Sequence, residues 1–444
     1  MKAKTLSPYE SSSLPAIVGG VPVRPQEQRL VFGAPVIGEE EISAVVECLR
    51  SRWIGAGPGV ERFEREFALY KGAPYAAALS SGTAALHLSL IALGIGPGDE
   101  VIAPAMTFCA SIHAIVHTGA TPILVDCERS TFNLDPALVE RRINARTKAI
   151  MVVHMGGRCC NMDPIIQIAR RHGLRVIEDC AHAIESNYHG TPSGLMGDVG
   201  CFSFYPTKNV TAGEGGMVIT ADRRLFRRVK LLSQQGMTVD PWTRSVRGYS
   251  GHRVIVAGYK ANLTDIGACL ALAQLAQVGE RWKRRHEVWQ TYSARLAQLP
   301  VCLPAPVEAG TRHAHHLYSL VLLPEKLRAG RKEVIAALAA ENIGTGIHYV
   351  PVHMQPYYRR RFGFVRADFP NAAWLGENTL SIPLSPALSE GDVSDVCNAL
   401  TRVLGYYAAD AKPYRSQANE IGVLAGKSVE PNIRRRVNGS AALP

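Results

Sequence analysis

Several features are missing from this chain of 444 residues. No apolar run approaches the roughly 18–20 residues that cross a bilayer, so no membrane helix is expected. The opening segment, MKAKTLSPYESSSLP, has no apolar core of the kind a secretory signal needs. Ten cysteines are present, yet none forms a CxxC pair. They are scattered from Cys48 to Cys397, with Cys159 and Cys160 adjacent, and read as reduced thiols of a cytoplasmic protein. Neither a glycine-rich Rossmann fingerprint nor a P-loop occurs, which argues against those two modes of nucleotide binding. No helix-turn-helix pattern or interleaving of basic and aromatic residues stands out, so a nucleic-acid partner is not expected.

The chain does have charge of one sign in excess: +11 overall, with clusters at Arg281–Arg285, Arg359–Arg361 and Arg434–Arg436. A dispersed basic surface of this kind draws in anionic substrates such as nucleotide diphosphates. Nearly half of the residues (47%) are hydrophobic, enough for one large core and a smaller one. From about residue 75, short apolar runs alternate with helical stretches. Segments 75–79, 100–103, 121–125, 148–154 and 174–178 read as strands, and 83–93, 111–117, 136–143 and 164–172 as helices. That alternation predicts an α/β fold with a mostly parallel central sheet covered on both faces. Residues 265–297 read as one long helix. The segments 315–323, 331–341, 344–350 and 391–404 suggest a smaller C-terminal α+β domain, against which the helix 39–50 is expected to pack. The expected division is a mobile arm over 1–29, a large domain over 30–258, a small domain over 259–409 and a disordered tail over 410–444.

Chemistry concentrates where strands end. The run 201–204 is a buried strand that gives way to a polar turn carrying Lys208, and the strand ending at Glu178 runs straight into Asp179. A lysine and an aspartate at the ends of neighbouring strands suit pyridoxal phosphate (PLP). The lysine amine condenses with the cofactor aldehyde, and the aspartate keeps the pyridine nitrogen protonated. Ser81, Gly82, Thr83 and Ala84 lie between a strand and a helix, which suits either a phosphate at a helix N-terminus or an ordinary cap. Strand alternation aims Ser203 at the same phosphate or leaves it as a small core residue. Phe108 can stack on the cofactor ring or sit in the core. His182, three residues past Asp179, either holds the cofactor's ring oxygen or orients the aspartate. His113 and His117 share a helix face without a carboxylate, and His313, His315 and His316 have no acidic or thiol ligand beside them, so no metal site is expected.

Taken together, the segments WIGAGP (53–58), SSGTAALHLSL (80–90), APAMTF (103–108), PILVD (122–126), VIEDCAHAIES (176–186), GCFSFYPTKNVTAGEGGMV (200–218), GYKANLTDIGA (258–268) and GTGIHYVPVHMQPYY (344–358) resemble the DegT/DnrJ/EryC1/StrS family of PLP-dependent sugar aminotransferases. The resemblance runs from about Val31 to Leu404. It implies the aspartate-aminotransferase fold (fold type I), with Lys208 as the lysine that binds the cofactor and carries the proton, and Asp179 on the pyridine nitrogen. It places His182 by the ring and Phe108 stacked on it, with Gly82, Thr83, Ala84 and Ser203 at the phosphate. It also implies a homodimer with shared active sites, in which the segment holding Lys260 and Asn262 reaches the partner's phosphate. These two positions depart from the usual Asn and Arg. The 258–266 and 344–349 segments look most like the UDP-4-amino-4-deoxy-L-arabinose–oxoglutarate aminotransferase group, which puts His348, Tyr349 and His353 on the sugar-nucleotide side. The implied reaction is a two-step transamination from L-glutamate, leaving 2-oxoglutarate, to a keto group on a nucleotide-linked, preferably UDP-linked, sugar. Two alternatives stand beside it: a PLP-dependent sugar dehydratase, which an intact lysine argues against, and a non-catalytic regulator or scaffold that keeps the fold.

Overall fold

The structure, a computed structural model, describes residues 14–239, 241–247 and 251–410. Residues 1–13 of the expected arm and 411–444 of the expected tail lie outside them. The large sheet contains β1 (Tyr75–Leu79), β2 (Glu100–Pro104), β3 (Thr121–Val125), β4 (Thr147–Val153), β5 (Arg175–Asp179), β8 (Val199–Ser203) and β9 (Gly216–Thr220). Two short strands, β6 (Asn187–Tyr188) and β7 (Thr191–Pro192), make a side ribbon with β11 (Thr311–Arg312). The sheet order is β1-β9-β8-β5-β4-β2-β3, and only β9 runs against the rest. This is the mostly parallel α/β sheet that the alternation predicts.

Period-two alternation explains why the sheet needs cover on both faces. Ala77, Leu79, Val101, Met151, Ile177 and Val218 point into one core with α3 (Gly82–Ala92), α4 (Cys109–His117) and α7 (Arg223–Ser233). Their neighbours Ala76, Ala78, Phe202 and Met217 point the other way, onto α2 (Pro58–Lys71) and α9 (Asp265–Ala276). Further along that second face, Ile102, Ile150, Val152 and Val176 pack with α6 (Met162–His172). A separate core joins α10 (Val278–Arg295), α11 (Arg331–Ala340) and α14 (Glu390–Tyr407) to a small antiparallel sheet of β10 (Val301–Cys302), β12 (Tyr318–Leu322) and β13 (Thr379–Ile382).

The stretch expected as one helix over 265–297 is two. The Gln277 N–H turns back to Gln274 O, closing α9, and Gln277 O then accepts the Arg281 N–H to start α10. A tightened last turn satisfies the donor at the break. Helix α1 (Glu39–Arg50) packs along α9. The buried Glu41 carboxylate there takes the Gln274 amide (2.8 Å) and the Arg281 guanidinium (2.7 Å). Asp265 closes the other side of α9: it accepts the N–H groups of Gly57, Gly59 and Val60 at 2.8, 2.9 and 2.9 Å, so α9 caps the N-terminus of α2. Segment 344–350, expected within the smaller domain, is an irregular ribbon that exchanges two backbone bonds between Gly346 and Ser381. Residues 14–29 are tied down: buried Glu341 accepts the Ala16 and Val23 N–H groups, and Arg24 pairs with Asp392 and Asp395. No helix among the described residues is long and apolar enough to cross a membrane.

Candidate active site

The site forms where the carboxyl ends of β5, β8 and β1 converge. Parallel pairing of β5 with β8 puts Asp179 opposite Cys201. The chain after β8 then turns, with the Lys208 N–H donating to Tyr205 O at 2.9 Å. Beside it, α3 starts with Ser81 as its cap, the Ser81 hydroxyl accepting the Ala84 N–H at 3.0 Å. Glycine is required at two close approaches. A Cβ on Gly82 would sit 2.8 Å from Ser203 Cβ, and one on Gly216 would sit 2.2 Å from Ser81 O. These contacts bring the start of α3 against the end of β8. Gly82, Thr83, Ala84 and Ser203 therefore meet at one helix N-terminus, a place suited to an anion. Of these, Ala84 already gives its N–H to Ser81.

Asp179 is buried. One carboxylate oxygen accepts from the Ser111 hydroxyl at 2.8 Å and the other from the Ala181 N–H at 3.1 Å. Burial pushes its carboxyl up, while these bonds and Lys208 pull it down. Lys208 is half-buried, and desolvation lowers its amine to about 8, with Asp179 opposing the shift. A lysine so tuned is neutral often enough to act as nucleophile and base. His182 accepts the Gly156 N–H at Nδ1 (3.2 Å), which leaves Nε2 to carry the proton toward the Tyr349 hydroxyl at 3.1 Å. Burial and the Lys208 charge hold His182 neutral, and its ring stacks on His316 with centroids 4.5 Å apart.

A narrow cavity beside Lys208 is lined by Phe32, Thr207, His316, His348 and Tyr349. His348 Nδ1 and the Ser381 hydroxyl share a hydrogen bond (2.9 Å), and burial lowers His348 to about 4. Phe108, 54% exposed, faces Tyr349 with ring centroids 5.4 Å apart. Lys208, Asp179, His182, Phe108, His348 and Tyr349 are thus one cluster. His353 is not part of it. It is fully buried against Phe369 and lines no part of the Lys208 cavity. Lys260 and Asn262 are elsewhere too. They bond to one another at 2.6 Å beside the end of β1, where the Ser80 N–H meets Ala261 O. With Arg52, Trp53 and Gln234 they line a separate cavity of about 440 Å³.

Sequence reasoning missed Ser111, Asn209 and His316. Ser111 is one helical turn past Thr107, and the two hydroxyls bond at 2.8 Å, but nothing in the local pattern announces that α4 points it at β5. The cluster of His154, Glu178 and Cys180 is built as structure. Glu178 accepts the N–H groups of Gly194, Met196 and Gly197 as well as His154, and His154 Nδ1 accepts from Cys160.

The description of the DegT/DnrJ/EryC1/StrS aminotransferase family matches residues 35–401. The chain belongs to that family. The spore coat polysaccharide biosynthesis protein SpsC of Bacillus subtilis (strain 168) is 44% identical over 384 residues, covering 86% of this chain and 99% of SpsC. Among solved structures, Spr1654 from Streptococcus pneumoniae, described as a sugar aminotransferase and seen in its PMP form, superposes with a TM-score of 0.80. It is 33% identical and covers 84% of this chain and 98% of its own. DesI, solved in the presence of its TDP-sugar product, gives a TM-score of 0.77 at 31% identity, covering 87% of this chain and 95% of its own. The fold is therefore that of the PLP-dependent aminotransferases, and the protein is an enzyme of the transaminase class.

Proposed function

We propose that this aminotransferase uses PLP to move an amino group from L-glutamate to a keto group of a nucleotide-linked sugar destined for a surface polysaccharide. The observation that carries the reading is Lys208, its amine lowered to about 8, in one cleft with buried Asp179 and neutral His182. Three further facts support it: the family, the Spr1654 structure solved in a PLP form, and the DesI structure solved in the presence of its TDP-sugar product. The residues fit the cofactor. Asp179 offers a buried carboxylate for a pyridine nitrogen, Phe108 a half-exposed ring for stacking, and the start of α3 with Ser203 a phosphate cradle. PLP supplies an electron sink that makes the bond to an α-proton labile. Lys208 would hold the cofactor and, as a free amine, would carry the proton. Asp179 retains the ring proton, and Ser111 fixes the carboxylate. His182, positioned by Gly156 and Tyr349, would meet the cofactor ring, and His348 and Tyr349 would face the sugar. The cytoplasm is its compartment, and a second copy completes the site through Lys260 or Asn262.

The experiment is the absorption spectrum of the PLP-loaded protein before and after L-glutamate. Conversion to the aminated cofactor, reversed by 2-oxoglutarate and abolished in Lys208→Ala, establishes the half-reaction. Turnover that survives Lys208→Ala would remove the assignment. UDP-linked 4-keto pentoses and hexoses are the first acceptors to screen, then TDP-linked ones.

A further inference from the structure

His316 has no role in the reading above, yet its hydrogen bonds fix its chemistry. Gly156 sets two imidazoles at once. Its carbonyl accepts the His316 backbone N–H at 3.1 Å, and its own N–H goes to His182 Nδ1 at 3.2 Å. The two rings stack with centroids 4.5 Å apart and planes 28° from parallel. His316 is buried, and its Nδ1 bonds to Asn209 Oδ1 at 2.9 Å. The Asn209 amide nitrogen meets both Glu185 oxygens, at 2.9 and 3.0 Å, and the Ala314 carbonyl at 3.0 Å. A carboxylate and a carbonyl accept, so only the NH2 end of the amide can face them. Asn209 Oδ1 is left for His316, and His316 Nδ1 must donate to it.

Burial holds His316 well below the ordinary histidine value, and the groups that face it, His182, Lys208, Arg285 and His348, push the same way. A neutral ring with its proton on Nδ1 keeps a bare lone pair on Nε2. His182 is the opposite tautomer, with its proton on Nε2 toward Tyr349. The stacked pair thus offers the site one donor and one acceptor. His316 and Lys208 border the same cavity, about 40 Å³, which has room for a water. Of the other polar groups there, the Tyr349 hydroxyl is engaged by His182 and His348 Nδ1 by Ser381. Lys208 is the amine of that wall, and His316 is its matching acceptor.

We infer that His316 is a positioning residue for Lys208, its Nε2 accepting an N–H of the free lysine amine, directly or through one water. The inference rests on the transaminase reading and deepens it. A neutral amine has one lone pair and two N–H bonds. When it takes the α-proton of the donor, the C–H bond breaks, a new N–H bond forms on Lys208, and the C–H electron pair stays with the carbon side. That transfer needs the lone pair aimed at the carbon. Tying one N–H to His316 removes the rotations that aim it elsewhere. Glu185 and Asn209 act one step further back, by holding the proton on His316 Nδ1 and so keeping Nε2 an acceptor.

The test uses the full-length protein and two readouts. The first is the pH midpoint of covalent PLP capture by the cofactor-free form. An acceptor binds the ammonium more strongly than the amine, so His316→Phe should lower that midpoint from about 8 by about one unit. The second is single-turnover conversion of the PLP-loaded enzyme by L-glutamate. His316→Phe should slow it about tenfold at saturating glutamate, with half-saturation unchanged and a larger slowing by α-deuterated glutamate. His316→Gln, whose side-chain oxygen can accept in place of Nε2, should recover part of both. An unmoved midpoint in His316→Phe overturns the inference, even if conversion slows, because lost packing alone would do that. Absence of conversion in the wild type overturns the transaminase reading and leaves the capture midpoint to decide for His316. If His316→Phe does not fold, neutron diffraction of the wild-type crystal decides. Deuterium on Nδ1 of His316, with Nε2 bonded to Lys208 Nζ or to a water on it, supports the inference, and deuterium on Nε2 overturns it.

Discussion

Raising the pH on the cofactor-free protein should switch on covalent PLP capture near pH 8 rather than near the ordinary lysine value. Only neutral Lys208 condenses with an aldehyde, and burial lowers its amine from 10.5 to about 8. With that value the neutral fraction rises roughly 25-fold between pH of about 6.5 and about 8.5, then only about 1.3-fold to about 9.5. An unshifted lysine would instead gain about ninefold in that last unit. The decisive window is therefore the upper one. The assay is the rate of growth of the lysine-bound cofactor band after mixing apoprotein with PLP, with Lys208→Ala as blank. The same shift makes a stability statement. A folded value below the unfolded one means that the unfolded chain holds more protons between about 8 and 10.5, so stability rises with pH across that window. Below pH of about 8 the whole cost, about 3 kcal/mol, is present. A capture rate that keeps climbing tenfold per unit beyond pH of about 9 would refute the argument, because desolvation would then not control Lys208.

Other outcomes follow from the same contacts. Asp265→Ala strips the acceptor from three N–H groups at the start of α2, two of those bonds being buried, and should cost about 2–4 kcal/mol in denaturant or thermal unfolding. Ser111→Ala removes the hydroxyl donor to Asp179; kcat should fall roughly tenfold with PLP still bound, and an unaltered kcat would make Ser111 a bystander. Gly82→Ala pushes a methyl to 2.8 Å from Ser203 Cβ, and should weaken PLP retention during dialysis by about tenfold or more while leaving the far core of α10, α11 and α14 folded.

The strand–helix alternation was legible because a sheet covered on both faces needs apolar residues at every position, and only turns interrupt such runs. Segment 75–79 coincides with β1 and 121–125 with β3, and the other strands begin or end within one residue. The break at Gln277 was not legible, since both flanking segments keep a helical pattern and the interruption is a single residue closed by a tightened turn. Lys208, Asp179 and His182 could be picked out because reactive residue types stand where strands end. His353 illustrates the limit. It is five residues from His348, yet the irregular chain between them turns it into the core against Phe369. Exposure of a residue outside regular structure has no period to read.

By itself the sequence determined the layers, the strand ends and the chemical types available at them, because periodicity and turn residues act over a few positions. It did not contain the distances. Ser111 reaches Asp179 only because the first turn of α4 meets the carboxyl end of β5, and Asn209 joins Glu185 and His316 from three separate segments. The isolation of Arg285 on α10, whose enclosed Nε has no hydrogen-bond partner, has the same origin. Glu185, a hundred residues away in the chain, would be its natural partner, and packing turns that carboxylate to Asn209 instead. Burial and pairing are properties of the packed core, and the lowered Lys208 amine and the unpaired Arg285 charge come from desolvation that only the assembled tertiary structure imposes.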